Sequence, residues 1–161
     1  MKWWGIVFGC LGWAAQAETF EARVIAVLDG DTVLVLREGQ QLKVRLADID
    51  APEKSQPFGE RSRDSLRELV HEQTVQVESR AVDQYARIVG TLRTDGRDAS
   101  REQLRRGMAW EYSFHHSDRE LVALQHEAQQ ARRGLWMQAH PQAPWQWRRE
   151  HPADVRRQGP R

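Results

Sequence analysis

Along residues 20–28 apolar side chains occupy every second position, at Phe20, Ala22, Val24, Ala26 and Leu28, which is the period of a strand with one buried face. Asp29-Gly30 follows at once, a hairpin signal between two β-prone runs, and Thr32-Val33-Leu34-Val35-Leu36 supplies the return strand. Glu38-Gly39 marks the next turn. A third strand carries Leu42, Val44 and Leu46 inward, which puts Lys43 and Arg45 on the opposite face because side chains alternate. Pro52 breaks the run, and residues 58–72 read as a helix with Leu66, Leu69 and Val70 on its buried stripe. Val75 and Val77 mark a fourth strand and residues 88–92 a fifth, which ends at a second Asp-Gly turn, Asp95-Gly96. Residues 99–106 form a short helix closed by Gly107. A last helix starts with Ser117 or Asp118 as cap and carries Leu121, Leu124, Ala128, Ala131 and Leu135, with Gly134 near its end.

The resulting order, β-β-β-α-β-β-α-α, suits a five-stranded Greek-key barrel of the oligonucleotide-binding (OB) type with about three helices, an α+β arrangement. Beyond residue 136 the periodicity is lost and Pro141, Pro144, Pro152 and Pro160 interrupt the chain, so residues 137–161 read as a tail. A solvated, disordered end is the expectation for it. Two features cut the other way: Trp145 and Trp147 carry apolar area that favours docking on the body, and the pairs Arg148-Arg149 and Arg156-Arg157 can track phosphates. At the other end, residues 1–17 combine Lys2, an apolar run over residues 3–15 and the small-x-small ending Ala15-Gln16-Ala17. That is the pattern of a cleaved secretory signal, and the apolar run is too short to span a bilayer. A secreted or periplasmic protein with no membrane insertion is expected, with residues 18–136 as its one domain.

Charge excludes one simple picture. The sequence has 24 basic and 23 acidic side chains, and removing residues 1–17 takes away only Lys2, so the remaining charges balance. Any polyanion must therefore be bound by local arrangement of cations, not by a basic field. Those cations are arginines apart from Lys43 and Lys54, and arginine offers phosphate a bidentate fork. Cys10 lies within the leader, leaving no cysteine after residue 17. The six histidines have no metal-ligand spacing, and neither Ser113 nor Ser117 sits in a glycine-flanked elbow.

Chemistry concentrates where strands end or turn: Asp31 in Asp29-Gly30-Asp31-Thr32, then Arg45, Asp50 and Glu53 between Val44 and Lys54. Two aspartates from separate turns, with a carbonyl from the loop kinked by Pro52, can hold a hard cation and leave positions for water and a phosphate. Glu53 is then placed to take a proton from water. Arg45, with Arg87 in Asp83-Gln84-Tyr85-Ala86-Arg87, can grip the oxygens of a phosphorane as charge builds there. Singly, each of these groups has a plain explanation as a turn former, a strand-end cap or a solvated surface charge.

Together they resemble the staphylococcal (micrococcal) nuclease-like, or thermonuclease, family. The marks are Asp29-Gly30-Asp31-Thr32, Arg45-Leu46 through Asp50-Ala51-Pro52-Glu53, Pro57-Phe58-Gly59-Glu60, Asp83-x-Tyr85-x-Arg87, Arg106-Gly107-Met108-Ala109-Trp110 and Ala131-Arg132-Arg133-Gly134-Leu135-Trp136, spread over roughly residues 23–136. The resemblance implies a Ca²⁺-dependent endonuclease, acting as a monomer on DNA and RNA and leaving 3′-phosphates. It assigns Asp31, Asp50 and the Ala51 carbonyl to Ca²⁺, Glu53 to the base, Arg45 and Arg87 to catalysis, and Tyr85 and Tyr112 to substrate contact. The sequence departs from the family pattern at three places: Ala51 stands for threonine, Ala86 for the glycine before the catalytic arginine, and the loop over residues 54–57 lacks a lysine-rich insertion. If position 86 needs positive φ, Ala86 displaces Arg87. The alternative is a non-catalytic oligonucleotide-binding module, which has no reason to keep Glu53 beside a cation site; a DNA-processing subunit recruited through the tail is a third reading.

Overall fold

A computed structural model describes residues 18–113 and 118–153. The leader, the His115-His116 pair, Ser117 and the Arg156-Arg157 pair lie outside the described residues. Three long strands open the described part of the chain, β1 (Thr19–Asp29), β2 (Thr32–Arg37) and β3 (Gln40–Leu46), followed by the short β4 (Ile49–Asp50) and helix α1 (Gly59–Val70). Then come β5 (Thr74–Val82), β6 (Ile88–Thr94), β7 (Arg97–Asp98), α2 (Ala99–Arg105), β8 (Trp110–Glu111), α3 (Arg119–Gln130), a 3₁₀ turn (Gly134–Met137) and α4 (Pro144–Glu150). Among the described residues no helix is long and apolar enough to cross a membrane.

The sheet runs β3-β2-β1-β5-β6-β7 and closes on itself through a parallel β3–β6 pairing, Val44 opposite Ile88, Arg45 opposite Val89 and Leu46 opposite Gly90. The five long strands thus form the closed OB-type barrel that the sequence pattern predicts. Closure satisfies the edges that an open sheet leaves exposed. Val24, Val33, Val35, Val44, Leu46, Val77 and Leu92 fill the interior, and α1 covers one end with Leu66, Leu69 and Val70 buried.

The alternation in β1 does not run through to Leu28. Its ladder with β2 slips between Val24 and Ala26 and again between Val27 and Asp29, the signature of bulges, which insert a residue and reverse the facing of those that follow. Val27 is therefore buried and Leu28 exposed, and Asp29 faces inward at 6% exposure. A strict period of two, which put Ala26 and Leu28 inside, fails here because it carries no signal for the extra residue. The turn itself is Gly30-Asp31, since Asp29 pairs with Thr32. The helix predicted to run to Leu135 also stops early: α3 ends at Gln130, Arg132 and Gly134 take positive φ, and Leu135 is buried from the 3₁₀ turn instead.

Gln103 of α2, fully buried, fastens the barrel rim to the helices. Its amide donates to the Gly30 carbonyl at 2.7 Å and the Ser62 carbonyl at 3.0 Å, and its carbonyl accepts from Ser65 Oγ at 2.8 Å. Cutting it back leaves three buried polar groups without that partner, so Gln103→Ala is expected to cost about 3 kcal/mol. Chemical denaturation measures this directly, and a loss below about 1 kcal/mol contradicts the role.

Candidate active site

The two turns that carry the acidic residues meet at the β3–β6 seam because the backbone leaves no slack between them. A Cβ added to Gly30 would stand 1.8 Å from Ser62 Oγ and 2.8 Å from the Ala51 Cβ, so only glycine lets the 29–31 turn lie against both α1 and the 50–53 loop. On the far side of that loop, a Cβ on Gly59 would come within 2.0 Å of the Glu53 carbonyl oxygen. The start of α1 thereby fixes Glu53 from below.

Asp31 is 2% exposed and its carboxylate accepts from Thr32 Oγ1 at 2.8 Å and from the Ala51 N–H at 2.9 Å, while its own N–H donates to Asp29 Oδ1 at 3.1 Å. Asp50, 1% exposed, sits on the β4–β8 bridge opposite Trp110. Arg45 joins the two aspartates: its Nη2 is 3.4 Å from Asp31 Oδ2 and 3.4 Å from Asp50 Oδ1, and its Nη1 donates to the carbonyls of Leu46 and Ile49 at 2.7 and 3.0 Å. Burial pushes the Asp50 carboxyl above its ordinary value, with the charge of Asp31 acting in the same direction against the guanidiniums of Arg148 and Arg45. Arg45 is itself held above its usual value: burial works to lower it, and Asp31 and Asp50 outweigh that. Glu53 is 1% exposed, and its loop is pinned by Gln56, whose Oε1 accepts from the Glu53 N–H at 3.0 Å.

Arg87 enters the site region from the other partner of the seam. It stands one residue before β6, two residues back from the row that pairs Val89 with Arg45, and so shares the side of the sheet that bears Arg45. Asp83 builds its loop, accepting from the N–H groups of Tyr85 and Arg87 at 2.9 and 3.0 Å and from Arg87 Nε at 2.7 Å. Burial opposes ionisation of Asp83, but these bonds and the charge of Arg87 hold its carboxyl below the usual value. A depressed folded-state value means this tie is intact above the ordinary carboxylate range and is lost only as pH falls through the lower folded value. Ala86 adopts φ +57°, so the left-handed conformation survives without glycine and Arg87 stays on its Asp83 anchor. Tyr85 is half exposed, its ring 5.4 Å from the Arg87 guanidinium. Tyr112 lies elsewhere on the rim, tilted against Trp145 at 5.3 Å.

Residues 144–150 correct the expectation of a disordered tail. Pro144 at the first turn suits a helix start, and α4 docks through Trp145, whose ring meets Trp110 edge-on at 5.6 Å. From α4 the Arg148 guanidinium reaches Asp50 Oδ2 at 2.8 Å, Asp50 Oδ1 at 3.2 Å and Glu53 Oε1 at 2.9 Å. In the sequence Arg148 stands out only as part of the Arg148-Arg149 pair; a helix start at Pro144 followed by tryptophans at 145 and 147 is the signal that points to its docking. Asp31, Arg45, Asp50 and Glu53 are thus linked in one network, with Ala51 donating into it, whereas Arg87 and Tyr85 are organised separately by Asp83.

The model of the staphylococcal nuclease homologue family matches residues 43–138, more than half the chain. An uncharacterized endonuclease of Escherichia coli is 39% identical over 148 residues, spanning 91% of this chain and 97% of that protein. Protein ParB of Escherichia coli is 43% identical over 138 residues, 79% and 78% of the two chains, and a micrococcal nuclease of Shigella flexneri is 39% identical over 141 residues, 81% of each. The chain belongs to the staphylococcal nuclease family. Within this family member, Arg148 falls outside the matched stretch, which is why family motifs alone do not point to it.

A non-glycine residue in the left-handed region costs about 1 kcal/mol or more, part of which glycine returns to the unfolded chain as entropy. Ala86→Gly is therefore expected to raise stability by roughly 0.5–1 kcal/mol, or about 1–4 °C in thermal melting. An unchanged or lower melting temperature contradicts the strain assigned to Ala86.

Proposed function

We propose that this protein is a Ca²⁺-dependent endonuclease that hydrolyses DNA and RNA with little sugar specificity and leaves 3′-phosphate ends, exported by its leader to act outside the cytoplasm. The observation that carries the reading is the convergence of Asp50 and Glu53, each about 1% exposed, on a single guanidinium beside the Arg45–Asp31 pair. A binding module gains nothing from withdrawing so many carboxylates from water, whereas a hydrolytic centre needs both a cation seat and a base.

The donor set fits the cation. Asp31 and Asp50 offer hard carboxylate oxygens, and Ala51 adds a backbone carbonyl in the same loop, a combination that suits Ca²⁺ better than softer metals. Two carboxylates and one carbonyl leave coordination positions to water, so the expected affinity is weak, on the order of 10⁻⁴–10⁻³ M. When bound, the cation polarises the scissile phosphate and lowers the cost of deprotonating a neighbouring water.

The chain's own groups do the rest. Glu53 takes a proton from the attacking water; the water oxygen bonds to phosphorus, and the bond from phosphorus to the 5′ oxygen breaks, leaving the phosphate on the 3′ side. Arg45 and Arg87 donate to the non-bridging oxygens as their charge grows, and Arg87 hydrogen-bonds the departing 5′ oxygen, which takes its proton from solvent. Tyr85, beside Arg87, and Tyr112 supply exposed rings for the substrate. Asp83 keeps the Arg87 fork aimed, so its contribution is positional.

The test is degradation of single-stranded DNA, duplex DNA and RNA by the purified protein with Ca²⁺ or with chelator. Cleavage is expected only with Ca²⁺, and Glu53→Gln should lower turnover by about 10²–10⁴-fold; binding without cleavage in every metal condition sinks the reading in favour of the inert module. Asp83→Asn should reduce turnover by roughly tenfold to a hundredfold with the fold unchanged by circular dichroism, because a small displacement of Arg87 is costly. Wild-type turnover in that variant removes Asp83 from the machinery.

A further inference from the structure

The acid cluster draws on a cation from outside the ordered motifs. Beside Arg45, which pairs with Asp31 and Asp50, Arg148 brings a further guanidinium to Asp50 and Glu53. It does so as a two-pronged fork. Nη2 bonds one oxygen of Asp50, while Nη1 is shared between the other Asp50 oxygen and Glu53. Burial acts to lower the pKa of Arg148, but its bonds to and charge attraction by Asp50 and Glu53 hold it above its usual value.

The helix that carries Arg148 is fastened to the same structure that carries Asp50. Asp50 pairs with Trp110 across β4–β8, the Trp110 ring meets Trp145, and Trp145 lies one turn before Arg148 on α4. The approach to α4 is tied separately to the Glu53 loop, Gln56 Nε2 donating to the Gln142 carbonyl at 2.7 Å. Asp50 and Glu53 are each held by their own strand or loop, so the fork meets them in fixed positions. Arg148 itself is one-third exposed, which leaves its guanidinium a path to solvent.

A cation seated on Asp50 needs the same oxygens that Arg148 occupies. Resting on the Ca²⁺ reading above, we infer that Arg148 is an exchangeable counter-ion of this site: it neutralises Asp50 and Glu53 while the cation is absent and must surrender Asp50 before the cation binds, so that α4 sets the cation affinity. An apparent dissociation constant rises in inverse proportion to the fraction of molecules competent to bind. If Arg148 is docked in about nine-tenths of them, it weakens the cation by about tenfold.

Calorimetric titration of the full chain with Ca²⁺ tests this without any substrate, comparing the wild type with Arg148→Gln and Arg148→Lys. The glutamine variant is expected to bind Ca²⁺ about tenfold more tightly, and the lysine variant to fall between the two, because its point charge competes without the planar fork. Thermal melting of each variant without Ca²⁺ verifies that the comparison is between folded proteins. Ca²⁺ binding that is unchanged or weaker in Arg148→Gln overturns the counter-ion assignment and leaves the metal reading standing. Absence of Ca²⁺ binding in all three chains overturns the metal reading and this inference with it.

Discussion

Carboxylates brought together out of water repel one another and lose hydration, and the disposition of Asp31, Asp50 and Glu53 follows from how that cost is met. Arg45 lies between the two aspartates at 3.4 Å from each, and Arg148 lies between Asp50 and Glu53. Neither guanidinium is a surface charge that pairs in passing. Arg45 is also bonded to the backbone carbonyls of Leu46 and Ile49, so the end of β3 and the start of β4 hold their shape around it. A buried pair of this kind stabilises little in net terms, because desolvation cancels much of the attraction, yet removing one partner leaves a strongly disfavoured charge behind. The network is therefore better understood as specifying geometry than as supplying stability.

The barrel delivers that geometry through its seam. Pairing β3 with β6 places Arg45 opposite Val89 and so brings the segment from Asp83 to Arg87 to the same rim, although these residues are some forty positions apart in the chain. The bulges in β1 turn Asp29 inward, where it receives the Asp31 N–H. Gln103 and the close approach of Gly30 to Ser62 then lock that turn to the helices. Rigid strands and a covered end hold the aspartates; the loops over residues 51–58 and 83–87 carry Glu53 and Arg87.

Much of this was legible in the sequence, and for identifiable reasons. Strands with one buried face announce themselves by alternation, so the strand order and the inward Phe20, Ala22, Val24, Val44 and Leu46 could be read directly, whereas the continuous apolar run over residues 32–36 does not say which of its faces is buried. The ordered motifs around Asp31 and Asp50 point to the carboxylates that the structure gathers with Arg45 and Glu53. What escaped were features that depend on pairing or on contacts across long separations. A bulge is invisible until the partner strand is known, so Ala26 and Leu28 were placed on the wrong face. Leu135 matched helical spacing although Arg132 and Gly134 had already left the helix. Pro144 through Glu150, with three prolines nearby and a short helix, looked like tail until Trp145 met Trp110, and Arg148 gained meaning only from that docking.

The decisive measurement is a crystal structure of the protein with Ca²⁺ and a short oligonucleotide made resistant to hydrolysis. The account predicts the ion between Asp31 and Asp50, a phosphate under Arg45 and Arg87, Glu53 facing a water beside phosphorus, and Arg148 withdrawn from Asp50. An ion bound away from these aspartates, or an oligonucleotide lying elsewhere on the barrel with the acid network undisturbed, would contradict it.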